Sequence, residues 1–197
     1  MVFDFPAPML AAIQQAYRTP PRAYHCWSHV EDVEHWFQEV LAGPGWRQPR
    51  EVFLAILFHD AVYVAGNRDN EAQSARLALE LTHTWLSNQR LDTARIGELI
   101  LLTARHGALT PAVVDPEAAL FLDCDMAILG AAPEVFDRYD AAIREEYRGV
   151  PSVLYSLGRR RFLTRLLQAP RIFLSDYLHA RLDGAARANI RRFLEAA

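Results

Sequence analysis

An apolar run at residues 52–58, with the sequence VFLAILF, ends directly on His59 and Asp60. Seven consecutive apolar residues predict a helix that is buried on all sides. Burying an imidazole and a carboxylate without partners costs several kcal/mol. A metal ion that binds both side chains would remove this cost. In the alternative without a metal, Asp60 caps a helix or pairs with an arginine, and His59 is a hydrogen-bonded core histidine.

The rest of the chain also has a helical pattern. Ala, Leu, Arg and Glu dominate, and alternating β-branched runs separated by hairpin turns do not occur. Residues that favour a helix start predict where four of the helices begin: Pro49, Asp92, Asp115 and Pro133. The predicted helices cover residues 28–42, 49–60, 70–86, 92–107, 115–129, 133–148, 152–168 and 175–195. Because the connections are short, we expect an all-α, single compact multi-helix bundle over residues 1–197.

The first of these helices carries two further histidines. Ser28 and Glu31 match a capping box, so Ser28 would cap the helix and Glu31 would reach back to it. Helical spacing places His29 on the face that points to the core and His35 on the opposite, polar face. The residues predicted to point inward are Val33, Trp36, Val40 and Leu41.

A carboxylate lies on an apolar face near the end of the helix predicted over residues 115–129. Asp125 shares its face with bulky apolar residues and needs a cation or strong hydrogen bonds there. Asp123 is the alternative inward residue, on a face with smaller side chains, and an arginine partner for Asp125 is a further alternative. His106 extends the buried stripe of the preceding helix, either as a cap at its C-terminus or as a functional group.

Composition limits the classes of function. The formal net charge of −3 provides no bulk attraction to nucleic acid or to an anionic membrane. No apolar stretch approaches the roughly 20 residues of a membrane span, and residues 1–10 lack the basic start of a signal peptide. Cys26 and Cys124 form no CxxC pair, so we interpret them as reduced thiols of a cytoplasmic protein.

Together, His29, His59, Asp60 and Asp125 form a mixed nitrogen and oxygen ligand set on three predicted helices. Such ligands suit Mn, Fe, Co, Ni or Zn, whereas Mg is less suited to a site with two histidines. The order His, His-Asp, Asp in an all-helical chain resembles the HD-domain superfamily, and within it a bacterial branch of predicted metal-dependent phosphohydrolases. The resembling segments are residues 24–29, 58–63, 69–71 with 74–75, 103–106, 122–130 and 143–147. The resemblance implies metal binding by these four residues.

A metal-activated water would then hydrolyse a phosphate ester or anhydride of a small metabolite, and we expect a nucleotide. Asp60 would hold the ion, and Glu71 would act as the acid or base beside it, unless Glu71 is only a favourable charge at a helix start. The residues expected to contact the substrate are Arg18, His25, Arg105 and His106. Tyr63 is either packing or a stacking surface for a base. Residues 159–161, the sequence RRR, are expected to form a solvated face or to bind polyphosphate.

Two other functions compete with this hypothesis. Some HD-type proteins are di-iron oxygenases, which need additional ligands, and His25, Glu71 and His106 are the available ones. The second alternative is a regulator that binds a metal or a nucleotide without turnover.

Overall fold

The computed structural model describes residues 3–196, and in this range all regular secondary structure is helical, without a strand. The α-helices are α1 (Ala7–Ala16), α2 (Trp27–Ala42), α3 (Pro49–Phe58), α4 (Asn70–Leu86), α5 (Thr93–Thr103), α6 (Pro116–Met126), α7 (Pro133–Glu146), α8 (Ser152–Gln168) and α9 (Asp176–Ala196). Short 3₁₀ helices follow α6 (Ala127–Gly130) and α7 (Tyr147–Gly149). The all-α prediction is therefore confirmed. No helix in the described range has the length and apolar character needed to cross a bilayer.

The helices form two compact units, the first ending at Ala104 and the second beginning at Arg105. The single-domain organisation of residues 1–197 stays a prediction. In the first unit, α3 is the central element and contacts α2, α4 and α5. Every residue of α3 from Glu51 to Phe58 is buried, as expected for a helix that is apolar on all sides. His59 follows directly at its C-cap and is only 1% exposed.

Helix α1 was not predicted. It buries Met9 and Ile13, and Pro8 lies in its first turn. A proline is tolerated there because the amide it lacks has no partner inside the helix. The two prolines of this segment, Pro6 and Pro8, therefore precede and begin a helix instead of marking an irregular terminus.

The predicted start of α2 was wrong. Cys26 is extended and serves as the N-cap without a side-chain bond, so Ser28 already lies inside the first turn and cannot cap. The buried stripe of α2 runs through Val33, Phe37 and Val40, whereas Leu41 is exposed and Trp36 is only partly buried. The ring of Phe37 packs on Trp46 and on Phe53 of α3. Because packing on these partners outside the helix decides which face is buried, the buried face of α2 differs from the predicted one.

In the second unit, α6 begins as predicted. The Asp115 side chain accepts hydrogen bonds from the amides of Glu117 and Ala118. The predicted helix over residues 115–129 ends earlier, at Met126, and continues as the 3₁₀ helix that contacts α9. The Asn189 amide of α9 donates to the carbonyls of Leu129 and Ala131 and holds this 3₁₀ segment.

A buried carboxylate organises the chain before α9. Asp183 accepts hydrogen bonds from the Ile172 amide and from Arg187, and His179 lies 3.1 Å from it. Burial acts to raise the pKa of Asp183, but these hydrogen bonds and charges hold it below its ordinary value. Arg187 also donates to three carbonyls of the segment between α8 and α9, those of Leu167, Ala169 and Pro170.

The solvated face predicted for residues 159–161 was wrong for Arg159. Its side chain is buried and pairs with Asp140 at 2.9 Å, and it donates to the Tyr139 hydroxyl at 3.2 Å. Arg160 donates to the Leu194 carbonyl. The α8 register turns Arg159 toward α7, where a carboxylate and a hydroxyl compensate its burial.

Candidate metal centre

Three of the predicted ligands converge in the first unit. His29 comes from the first turn of α2, His59 from the C-cap of α3, and Asp60 is the next residue. The Nε2 atoms of the two histidines are 3.0 Å apart, and Asp60 Oδ2 lies 3.1 Å from His59 Nε2 and 3.6 Å from His29 Nε2. Their potential ligand atoms all lie within 4.8 Å of one another. The two imidazoles are buried, and the Asp60 side chain is 14% exposed.

The backbone contact of His59 indicates which ring nitrogen carries a hydrogen. Its Nδ1 lies 2.8 Å from the Ile56 carbonyl oxygen. Because a carbonyl only accepts, Nδ1 carries a hydrogen, and in the tautomer protonated there alone Nε2 presents its lone pair as an acceptor. That lone pair points into the cluster with His29 and Asp60. Metal-binding histidines are commonly held in this way, with the second ring nitrogen donating to a carbonyl.

The donor set fits a divalent transition metal. Nitrogen and oxygen ligands bind such ions at about 2.0–2.2 Å, which places neighbouring donor atoms roughly 2.9–3.6 Å apart in octahedral or tetrahedral geometry. The three separations in the cluster, 3.0, 3.1 and 3.6 Å, match this range. Two imidazoles with a carboxylate are also the ligand types that Mn, Fe, Co, Ni and Zn accept.

Aromatic rings flank the cluster. The ring of Tyr24 lies 4.7 Å from that of His29, and His25 stacks on Tyr63 with ring centroids 4.0 Å apart. The His25 ring is 5.9 Å from that of His29. His25, predicted to contact substrate, therefore lies beside the cluster. Tyr24, His25 and Tyr63 are all partly exposed, so this aromatic rim of the cluster reaches solvent.

Sequence reasoning missed Arg22. Its guanidinium donates to the carbonyls of His25, Asp60 and Ala61, and so joins the segment before α2 to the turn after α3. The residue lies in an irregular segment after Pro20 and Pro21, where no helical periodicity indicates which side chain points inward.

Asp125 has a histidine partner in the second unit. His106 Nε2 lies 2.6 Å from Asp125 Oδ2, and the two side chains are 18% and 13% exposed. The prediction that His106 extends the stripe of the preceding helix was wrong, because α5 ends at Thr103. His106 instead lies in the turn that closes at Gly107, whose φ of 73° suits a glycine.

Asp123, the alternative to Asp125, has a structural role. It is buried and accepts hydrogen bonds from the amides of Leu174 and Ser175, each at 2.7 Å, and from the Ser175 hydroxyl at 2.6 Å. Burial raises the pKa of Asp123 to about 6 although these hydrogen bonds act to lower it. Both carboxylate oxygens are thus bound to the residues that precede α9, and Asp125 is the better candidate for an additional ligand.

The other predicted residues take varied positions. Glu71 lies in the first turn of α4 and is partly buried. Arg18 and Arg105 are exposed in the segments that follow α1 and α5, and His35 is exposed on α2 as expected. The catalytic role of Glu71 and the substrate contacts of Arg18, Arg105 and His106 stay predictions.

No family model matches this sequence, and searches of curated proteins and of solved structures found no match either.

Proposed function

We propose that this chain is a metal-dependent phosphohydrolase of the HD type, which cleaves a phosphate ester or anhydride of a small metabolite, expected to be a nucleotide. The observation that carries the proposal is the convergence of His29, His59 and Asp60, with His59 Nε2 left as an acceptor by its Nδ1 contact to Ile56. A bound cation would offset the cost of burying two imidazoles and a carboxylate at these separations.

In this proposal, Asp125 is the fourth ligand, and His106 orients its carboxylate through their 2.6 Å contact. Carboxylates that bind metals are commonly held by such outer hydrogen bonds. We prefer Asp125 to Asp123 for this role, because both Asp123 oxygens already accept hydrogen bonds from Leu174 and Ser175.

The chain's own groups would bind and orient the substrate. When bound, a divalent ion lowers the pKa of a coordinated water and neutralises charge that develops on phosphorus. The arginines Arg18 and Arg105 are suited to binding phosphate oxygens through their planar guanidinium groups. Glu71 would hold or transfer a proton near the attacked bond. The aromatic rim with His25 and Tyr63 supports a nucleotide, because a base can stack on such a surface.

The proposal is tested by metal analysis of the purified protein, followed by hydrolysis assays with nucleoside mono-, di- and triphosphates in Mn, Co, Ni and Mg. Asp60→Ala should lose metal and hydrolysis together, because Asp60 is the carboxylate ligand beside His59. His35→Ala is the matched control, since His35 is exposed on α2 and should affect neither property. Circular dichroism checks that both variants fold.

Full metal occupancy in Asp60→Ala would contradict the ligand assignment. Tight metal and nucleotide binding without turnover in the wild type would instead favour a regulator. Two irons per chain with oxygen-dependent turnover would favour an oxygenase.

A further inference from the structure

The Arg22 side chain contacts the backbone around the cluster at several points. One guanidinium nitrogen, Nη1, donates to the carbonyls of His25, at 3.0 Å, and Asp60. The other, Nη2, donates to the carbonyl of Ala61 at 2.9 Å and to that of Ala16 at 3.0 Å. These acceptors belong to three segments: the end of α1, the loop before α2 and the turn after α3. Arg22 therefore fixes these segments relative to one another.

The site requires the shape of arginine as well as its charge. The guanidinium is planar and presents its donors in a rigid fork, whereas a lysine ammonium is a single point with three donors. The Arg22 guanidinium also lies 5.4 Å from the Tyr17 ring centroid and 5.7 Å from that of Tyr63. The Tyr17 hydroxyl accepts a hydrogen bond from the Asp60 amide at 3.4 Å. Asp60 is thus held by its amide and by its carbonyl.

We propose that Arg22 is the positioning residue of the candidate metal centre and sets the distance between the ligand-bearing segments. The inference rests on the proposed metal binding by His29, His59 and Asp60. His29 lies four residues after His25, whose carbonyl Arg22 binds, and the Asp60 carboxylate is carried by the residue whose carbonyl Arg22 binds. Without the hydrogen bonds of Arg22, all three ligands remain in the chain, but they are no longer positioned to bind a single ion.

The experiment titrates Mn²⁺ into metal-free wild type and Arg22→Lys by calorimetry, with urea unfolding of the metal-free proteins in parallel. Groups that orient metal ligands typically change metal affinity about 10–100-fold when mutated. We expect Arg22→Lys to raise the Kd for Mn²⁺ by about this factor while one ion per chain still binds at saturation. His59→Ala, which removes a ligand, should lower the number of ions bound.

Arg187→Lys is a matched control. Arg187 also donates to several backbone carbonyls of an irregular segment, those of Leu167, Ala169 and Pro170, but it lies in the second unit and away from α2 and α3 in the sequence. Its replacement should lower the stability of the metal-free protein without changing the Kd for Mn²⁺. The comparison separates a positioning role from a general loss of backbone contacts.

The outcomes are distinct. If Arg22→Lys binds Mn²⁺ like the wild type and only loses stability, as Arg187→Lys does, Arg22 is a structural residue and the inference is overturned. If the wild type binds neither Mn²⁺ nor another ion of the proposed set, the proposed function fails and the inference fails with it.

Hydrogen exchange of the wild type tests the inference even if Arg22→Lys does not fold. If Arg22 couples its segment to the ligands, Mn²⁺ must in turn stabilise that segment, because coupling between two sites is reciprocal. Hydrogen exchange of the amides at residues 22–26 should then slow on addition of Mn²⁺, together with that at residues 59–63. Protection confined to residues 59–63 would overturn the inference.

Discussion

Replacing Asp123 with alanine is expected to destabilise the protein by about 2–4 kcal/mol and to leave its metal content unchanged. The buried carboxylate accepts hydrogen bonds from the Leu174 amide, the Ser175 amide and the Ser175 hydroxyl, all at 2.6–2.7 Å. The substitution leaves these three donors without their acceptor at the start of α9.

The magnitude follows from the exposure of the partners. A buried donor that loses its acceptor costs about 1–3 kcal/mol. Leu174 and Ser175 are only partly buried, so water can reach part of the vacated space. We therefore expect each of the three donors that lose their acceptor to cost about 1 kcal/mol of stability. Removing the carboxylate also removes the cost of its burial, which raises the pKa of Asp123 to about 6. This relief sets the lower end of the expected range.

The assay is urea unfolding of the wild type, Asp123→Ala and Asp125→Ala, with metal content measured on each. Asp125 lies two residues further along the same segment, is partly exposed and contacts His106. Asp125→Ala should therefore lose metal at a smaller cost in stability. A decrease in unfolding free energy below about 0.5 kcal/mol for Asp123→Ala, the range of ordinary surface substitutions, would refute the structural role of Asp123. Loss of metal in that variant would instead make Asp123 the ligand and Asp125 the structural residue.

If Glu71 is the acid or base of the proposed reaction, Glu71→Gln should keep the metal and lower kcat by roughly 10²–10⁴-fold; an unchanged rate in a hydrolysis assay would remove it from the site. Gly130→Ala should destabilise the protein by about 1–3 kcal/mol, because a Cβ would lie 2.8 Å from Leu182 Cβ and 3.0 Å from its carbonyl oxygen. Gly158→Ala, where an added Cβ would have no neighbour within 4 Å apart from the adjacent residues and the backbone of its own helix, should instead stabilise α8 by about 0.5–1 kcal/mol in thermal unfolding, and equal effects would contradict the packing argument. The pKa of Asp183 is lowered by its partners, so its contribution to stability is present above the ordinary carboxyl pKa and lost as pH falls through the lower folded value. Asp183→Asn should accordingly flatten the decline in unfolding free energy as the pH falls below the ordinary carboxyl value of 3.8, and a decline as steep as in the wild type would count against it.

Local chemistry was sufficient to predict most helix boundaries. Asp92 and Asp115 cap α5 and α6 because their carboxylates accept the first free amides, and Pro49 begins α3 because its missing amide has no partner there. Ser28 failed as a cap because the extended conformation of Cys26 starts α2 earlier. Cys26 follows the segment that Arg22 holds through a contact distant in sequence, the hydrogen bond to the Asp60 carbonyl.

The sequence alone determined that His29, His59 and Asp60 are candidate ligands, because each lies next to or within an apolar helix and a polar side chain there requires a partner. Only the tertiary structure brought their donor atoms to within 3.0–3.6 Å of one another, since that distance depends on how α2 packs against α3. It also assigned Asp123 its structural role. Residues two positions apart on a helix, such as Asp123 and Asp125, point in directions about 200° apart. The amides that precede α9 lie on the side that Asp123 faces.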